Sequence, residues 1–509
     1  MRCWIALHLP WLILEVFRPI LPPDEAAGMT GSTASDALVV MDGERVRMAS
    51  AAARQAGIVP GLRRAGALAL LPDAILRERD TQGEQRLLET VALALLRFSP
   101  QVVLAGEHVV LVEVSASLRL FGGLSALCRQ VGQTARLLGH ASRLAVAPTA
   151  TGAWLLARHS DSRQHRHATD LAQLRALLDD VPASLLNEAA PHLAWLEQLG
   201  CARLADLRRL PRAGLIRRCA QALVDELARA YGDAPETPAW FLAPLQFEAQ
   251  LALPARTTQV ETLLFGARRL LVQMAGWLAA HHQAVQAYEL VLEHEPLGRR
   301  TLAPTRMMVR LAEPGVAPAH LLNVLKEQLA RHRLETPVLE LRLCVSQVVP
   351  HEPGNASLLP EPGRARQEFV RLIERLNARL GEAQVSQLVL HDEHRPEAAY
   401  RLLPYVVSRP APATPGVAPD ATQVSPKVRP VWLLDSPRPL TMQGERPVHG
   451  TPLRVLTHAE RIESGWWDDA AALRDYFIAA DAQGALLWVY RERQTSRGQA
   501  AWYLHGLFG

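Results

Sequence analysis

LVEVSASLRLFGG, residues Leu111–Gly123, is the stretch on which the reading of this chain turns. Its first half belongs to a valine-rich run, His108–Val114, which follows a second such run, Gln101–Ala105, across Gly106-Glu107. Short β-branched runs separated by a glycine-containing turn read as paired strands. Its second half, Leu118–Gly123, breaks the strand and opens a helical pattern that reaches Gly139. A third strand, Arg143–Ala147, stops at Pro148, and a further helix follows at Thr149–His159. Upstream, Ile5–Phe17 is an apolar strand running into a helix. Strands alternating with helices predict an α+β core.

Farther along, Leu193–Gly232 turns helical with short turns. The spacing fits a helix–hairpin–helix unit, which offers backbone amides at a helix N-terminus to DNA phosphates, and fits an ordinary helical hairpin equally well. A long amphipathic helix, Thr258–His282, precedes strand-like Gln286–Glu293, Arg306–Leu311 and Val338–Val345, which together predict a small α+β domain. Pro404–Pro430 has the Pro/Ala composition of an extended linker. Beyond it lie five of the eleven tryptophans, Trp432, Trp466, Trp467, Trp488 and Trp502, which mark a separate C-terminal module.

The bulk properties narrow the class. A chain of 509 residues holds roughly three or four domains, and 49% apolar content is enough to build their cores. Net charge is +4, and the basic residues are arginine except Lys326 and Lys427. Arginines are bidentate phosphate donors, so the composition permits a nucleic-acid partner. Five scattered cysteines without a CxxC argue against disulfides and cysteine zinc sites and suit a reducing cytoplasm. The apolar opening is interrupted by His8, Pro10 and Glu15 and has no small-residue cleavage site, so export is not expected. No membrane contact is expected either, because no uncharged apolar run is long enough to span one. His391 and His394, beside Asp392 and Glu393, read as a surface turn rather than a zinc site.

The motif at Leu111–Gly123 resembles the second palm motif of Y-family (DinB/UmuC-like) DNA polymerases, S-I-D-E-A-F-L-D-V-T-G-S-L-R-L-F-G. Ser117–Gly122 match it directly, Glu113 takes the structural Asp, and the catalytic Asp-Glu pair falls on His108-Val109. The opening strand is similar to the family's D-x-D-x-F-F-x-x-V-E. Glu15 keeps the closing Glu, while the aspartates fall on Ala6 and His8 and the aromatics on Pro10 and Trp11. Met48–Leu62 resembles the finger motif, keeping Arg54, Gly57 and Gly61 but with Ala51 in place of the nucleotide-binding Tyr. Leu144–Ala157 resembles G-I-A-P-N-K-x-L-A-K-I-A, with Ala150 and Trp154 in place of its lysines. The resemblance implies a right-hand scaffold: palm and fingers over 1–165, a helix–hairpin–helix thumb over 166–235, and a little finger over 236–350. A clamp-peptide loop and helical segment (351–403), the linker (404–430) and a partner-binding module (431–509) would follow.

Polymerase chemistry needs two divalent ions roughly 4 Å apart between carboxylates. Mg²⁺ demands oxygen ligands, which Ala6, His8, His108 and Val109 do not supply. No catalytic residue, metal or cofactor is therefore expected, although Glu107 and Glu113 leave open an inefficient polymerase with unusual ligands. Such losses on a kept scaffold resemble the catalytically inactive subgroup of the family, as do DEHRPEAAY (Asp392–Tyr400), ERIESGWWDD (Glu460–Asp469) and the closing WYLHGLFG (Trp502–Gly509). That subgroup implies an adaptor in damage-induced translesion synthesis that binds primer-template DNA without sequence preference. Its implied partners are a sliding clamp, an ImuA-type RecA-like accessory protein and an error-prone DnaE-type polymerase. Asn355, Ser357, Leu358 and Leu359 resemble a clamp-binding peptide, Arg54 a nucleotide-binding remnant, and Trp466, Trp467, Leu507 and Phe508 are the partner-facing candidates.

Overall fold

Strand β1 (Trp4–His8) is apolar at nearly every position because neither of its faces meets water. It runs antiparallel between β6 (Val109–Glu113) and β7 (Arg143–Ala147), with Ala6 opposite Leu111 and Ala145, and His8 opposite Val109 and Arg143. With β5 (Val102–Ala105) and β8 (Arg166–His167) these form a sheet ordered β5-β6-β1-β7-β8. Alternation sends Ile5, Leu7, Val110 and Val112 into one core cluster and Trp4, Ala6, Val109 and Leu111 into another. A sheet covered on both sides gives continuous apolar runs rather than an alternating pattern, as these strands do.

The computed structural model describes residues 2–17, 37–159, 166–295, 302–334, 336–351, 362–405, 428–467, 471–493 and 501–508. The chain divides into two compact units, Met1–Arg379 and Leu380–Gly509. In the first, α1 (Leu12–Glu15) leads to a small subdomain with its own core around Val39, Met41, Val46 and Ile58. It comprises β2 (Leu38–Asp42), β3 (Arg45–Ala49), α2 (Ala51–Gln55), α3 (Arg64–Leu70) and β4 (Ile75–Glu78), with strand order β3-β2-β4. Helices α4 (Thr81–Leu95) and α5 (Leu124–Leu137) cover one face of the main sheet. The other face carries α6 (Ala150–His159), α7 (Leu171–Asp179) and the helices expected from Leu193–Gly232. These are α8 (Leu193–Gln198), α9 (Leu204–Arg209), α10 (Arg212–Cys219) and α11 (Gln221–Tyr231), closed by left-handed Gly232.

A second sheet, ordered β11-β10-β12-β9, follows. It is built from β9 (Glu248–Thr257), β10 (Gln283–His294), β11 (Thr305–Gly315) and β12 (Val338–Pro350), with α12 (Val260–Ala280) and α13 (Pro318–Leu329) packed on it. The leucines of α12 join the same core as α4 and the main sheet, so one apolar interior runs through both sheets. Two contacts fix that junction. Arg269 is buried and donates to the carbonyl of Leu138, its pKa pushed down to about 10 by burial. Gly276 lets α12 lie against the backbone of α4.

Helix α14 (Pro362–Leu380) stops at Gly381, which has φ 98°. Where the sequence predicts a helical segment through 403, the chain instead forms a hairpin, β13 (Ser386–Leu390) and β14 (Tyr400–Pro404), because the glycine ends the helix and Leu388-Val389-Leu390 favours strand. This hairpin belongs to the second unit, which therefore begins about fifty residues before the module boundary expected at 431. The rest of that unit is a sheet of β15 (Trp432–Gln443), β16 (Arg446–His449), β17 (Thr451–Pro452), β18 (Arg454–Val455), β20 (Ala472–Ala480), β21 (Leu486–Glu492) and β22 (Trp502–Leu507), with β19 (Glu460–Ser464) paired to β20. Of the linker expected at Pro404–Pro430, residues 406–427 lie outside the described residues. Among the described residues no helix is long and apolar enough to cross a membrane.

The α4–α12 contact is directly testable. A Cβ on Gly276 would stand 1.9 Å from the Leu93 carbonyl oxygen and 2.8 Å from Ala94 Cα, both backbone atoms. Gly276→Ala should therefore lower stability by about 2 kcal/mol or more, read as a drop in melting temperature. Gly214→Ala in α10, where a Cβ meets nothing within 4 Å, should hold or raise it.

Candidate functional site

The positions at which the resembled polymerases carry catalytic carboxylates do come together. Ala6 and His8 lie two apart on β1, His8 faces Val109 across the ladder, and His108 immediately precedes β6. Ala6 and Val109 are fully buried in the cluster that includes α6. His108 and its neighbour Glu107 both have positive φ (59° and 61°), a left-handed turn made without using the adjacent Gly106. The turn is held by Leu9 N, which donates to the His108 carbonyl at 2.9 Å, and by Trp154 Nε1, which donates to the Gly106 carbonyl at 2.9 Å.

Several charged groups near these positions have partners within the protein. His108 Nε2 lies 2.8 Å from Glu84 Oε2, and Glu84 also accepts two hydrogen bonds of 2.8 Å from the Arg79 guanidinium. Burial opposes the charge on Glu84, but hydrogen bonds from Arg79 and His108 outweigh it and hold its carboxyl below the ordinary range. The imidazole of His8 is pushed down to about 4 by burial, with Arg143, Arg158 and His108 adding to the effect. Its Nδ1 is buried without a hydrogen-bond partner. Glu107 stands 3.9 Å from Arg158, whose guanidinium lies over the Trp154 ring. Glu113 is at the far end of β6, opposite Trp4, where it accepts from Cys3 N at 3.3 Å and from the Ser115 hydroxyl. Glu107 and Glu113 thus do not converge on His8.

This donor set does not fit a pair of magnesium ions. The field at His8 is set by two arginines, Arg143 and Arg158, which repel a divalent cation. The N-terminus of α6, at the first lost lysine position, is also taken. Glu236 accepts from the amides of Ala150 and Thr151 and from the Thr151 hydroxyl, each at 2.7 Å. That carboxylate fills the place an anionic ligand would seek. Glu15 is likewise structural, meeting His140 Nδ1 at 2.7 Å and the amide of Ala141 at 3.1 Å.

The remaining candidates are spread widely. Arg54, on α2, lies over the Trp11 ring at 4.7 Å. Asn355, Ser357, Leu358 and Leu359 lie outside the described residues. On α9 and the preceding turn, Arg203, Arg208 and Arg209 pair with Asp180, Asp179 and Asp206. In the second unit Trp466 and Trp467 meet edge to face, 82% and 59% exposed. Leu507 and Phe508, read as partner-facing, pack instead against the unit's own core, beside Val489 and Trp488 respectively. The turn at His391–His394 is closed by Glu393, held to about 2 by hydrogen bonds from Arg395 and Ser464.

Residues 31–158 match the impB/mucB/samB family. Protein ImuB of Caulobacter vibrioides, in strains NA1000/CB15N and ATCC 19089/CB 15, is 28% identical over 482 residues, covering 89% of this chain and all of the relative. The chain is homologous to ImuB over most of its length, with a segment of the impB/mucB/samB type. Its α+β fold with a C-terminal extension agrees with that assignment. Among solved structures, an insertion ternary complex of Dbh DNA polymerase is 15% identical and covers 68% of this chain and 99% of its own, with a TM-score of 0.38. DinB from Sulfolobus solfataricus is 14% identical over 69% of this chain and 100% of its own, with a TM-score of 0.37.

Sequence reasoning located the four positions of this ImuB homologue but missed the residues that occupy their surroundings. Glu84 follows the cap Asp80 at the start of α4, and Glu236 sits in the loop after α11. Nothing in their local sequence marks either as a partner for a residue so far away.

The depressed pKa of His8 has a definite sign. Below about 6.5 an unfolded His8 takes up a proton, while the folded one stays neutral until about 4. Stability is therefore lost as pH falls through that window. Relative to His8→Gln, the wild type should lose on the order of 2 kcal/mol between pH 7 and 4. The His8 ring should also remain neutral by NMR at pH 5.5.

Proposed function

We propose that this ImuB homologue is a non-catalytic adaptor in damage-induced translesion synthesis, holding primer-template DNA while recruiting a sliding clamp and an error-prone DnaE-type polymerase. The observation that carries this reading is the state of the former metal positions. Ala6 and Val109 are buried and apolar, His8 is kept neutral, and His108 is tied to Glu84. In this reading the main sheet and its small β3-β2-β4 neighbour are palm and fingers, α7–α11 the thumb, and the second sheet the little finger. The arginines of α10, Arg212, Arg217 and Arg218, are exposed and supply phosphate contacts. The exposed pair Trp466-Trp467 serves as an aromatic anchor for a protein partner, the ImuA-type accessory protein or the polymerase.

With Mg²⁺ or Mn²⁺, primer-template and four nucleotides, the purified protein should leave the primer unextended. Extension abolished by Glu107→Ala with Glu113→Ala would instead establish an active polymerase with unusual ligands.

DNA affinity should fall steeply from low to physiological salt, because arginine–phosphate contacts release counterions. Trp466→Ala with Trp467→Ala should leave melting and DNA binding unchanged while abolishing capture of the accessory protein or the polymerase. Retained capture of both would remove these residues from the interface.

A further inference from the structure

A cavity of about 340 Å³ opens beside α6. A larger cleft, of about 730 Å³, separates α5, α12 and the start of α13. Its walls are apolar, formed by Phe121, Leu137, Val272, Leu278 and Leu322. Leu120, 81% exposed, stands at its rim. Four basic or titratable side chains, Arg97, Arg268, His282 and His351, share this lining, and among the described residues no Asp or Glu does.

Arg97 is the telling group. It is half-buried just beyond α4, with its guanidinium over the Phe98 ring. Burial acts on its charge, lowering its pKa, and among the described residues no carboxylate offsets that. Several other arginines of this unit face a carboxylate: Arg79 meets Glu84, Arg208 Asp179, Arg256 Glu295 and Arg306 Glu289. A partly desolvated guanidinium without a counter-ion is costly, and an incoming carboxylate relieves that cost. The amides of Gln130, Gln133 and Gln283 also line the cleft. They can pair with a peptide backbone, whereas a hydrocarbon tail would leave them unused.

We propose that this cleft is a docking site for an acidic peptide segment of a protein partner. Its leucine or phenylalanine side chains enter between α5 and α12, and its carboxylates meet Arg97 and Arg268. The site is independent of the metal positions and of Trp466-Trp467, so it can be occupied whatever those residues do.

The test uses the full-length protein and a fluorescein-labelled synthetic peptide alternating Asp or Glu with Leu and Phe, followed by anisotropy. Saturable binding is expected for this peptide but not for its lysine-for-acid counterpart. Arg97→Glu with Arg268→Glu should weaken the acidic peptide by at least about tenfold, the loss of a charge-assisted hydrogen bond. The same double variant should gain affinity for the lysine peptide, a reversal that simple unfolding cannot produce. Ala319 lines the cleft from an exposed position, so Ala319→Trp should block the acidic peptide without lowering the melting temperature. Absent binding, binding indifferent to both variants, or equal binding of the lysine peptide would overturn the proposal. Full displacement by equimolar dodecanoate would overturn it in favour of a lipid carboxylate.

Discussion

Burial of β1 on both faces is the constraint from which most of this molecule follows. A strand with no wet side has to be apolar, and the helices on each side of it need apolar stripes facing inward. One stripe belongs to α4 and α5 and continues through α12 into the second sheet, while the other belongs to α6 and the helices that follow it. The same dryness decides what positions 6 and 109 can hold. A carboxylate there would lose its hydration, at a cost of several kcal/mol, unless cations replaced it. Alanine and valine need no such compensation, and both are fully buried.

The electrostatics around β1 have moved in the same direction. Two arginines, Arg143 and Arg158, define the field at His8, where a cation-binding site would need the opposite sign. The acids that are present have become internal ligands for the protein itself: Glu84 for Arg79 and His108, Glu236 for the first amides of α6, Glu15 for His140. Each is fixed by two or more contacts, so none can be released without leaving a buried donor unsatisfied. The polar groups around these positions are thus engaged with one another.

Much of this was legible in the sequence. The run from His108 to Gly123 located β6 and the helix after it, and the β1, β7 and α6 segments were visible as apolar runs bounded by proline and glycine. The substitutions at positions 6, 8, 108 and 109 were equally plain. The pairing of His108 with Glu84 was not, because it joins residues in different elements and depends on the left-handed turn at Glu107-His108. The tie from Arg269 to Leu138 was hidden for the same reason, since a buried arginine in a helix looks like any surface arginine until its neighbours are known. Gly276, in the middle of an otherwise strong helix, was the one local sign that α12 would touch backbone. The hairpin β13–β14 was missed because its side chains are mostly exposed and carry no alternating pattern.

The proline-rich stretch after β14 has an unexpected topological meaning. Tyr405 before it and Val428 after it belong to the same unit, so in sequence it joins two parts of one body rather than two bodies. The segments on its two sides are held together without it. Ser464 donates to Glu393 at 2.5 Å and Arg474 to Glu397 at 2.8 Å, and both bonds join the parts before and after it. A protease that nicks residues 406–427 would therefore give two bands on a denaturing gel but a single particle in a sizing column. The covalent link between the units is instead Arg379-Leu380, at the end of α14.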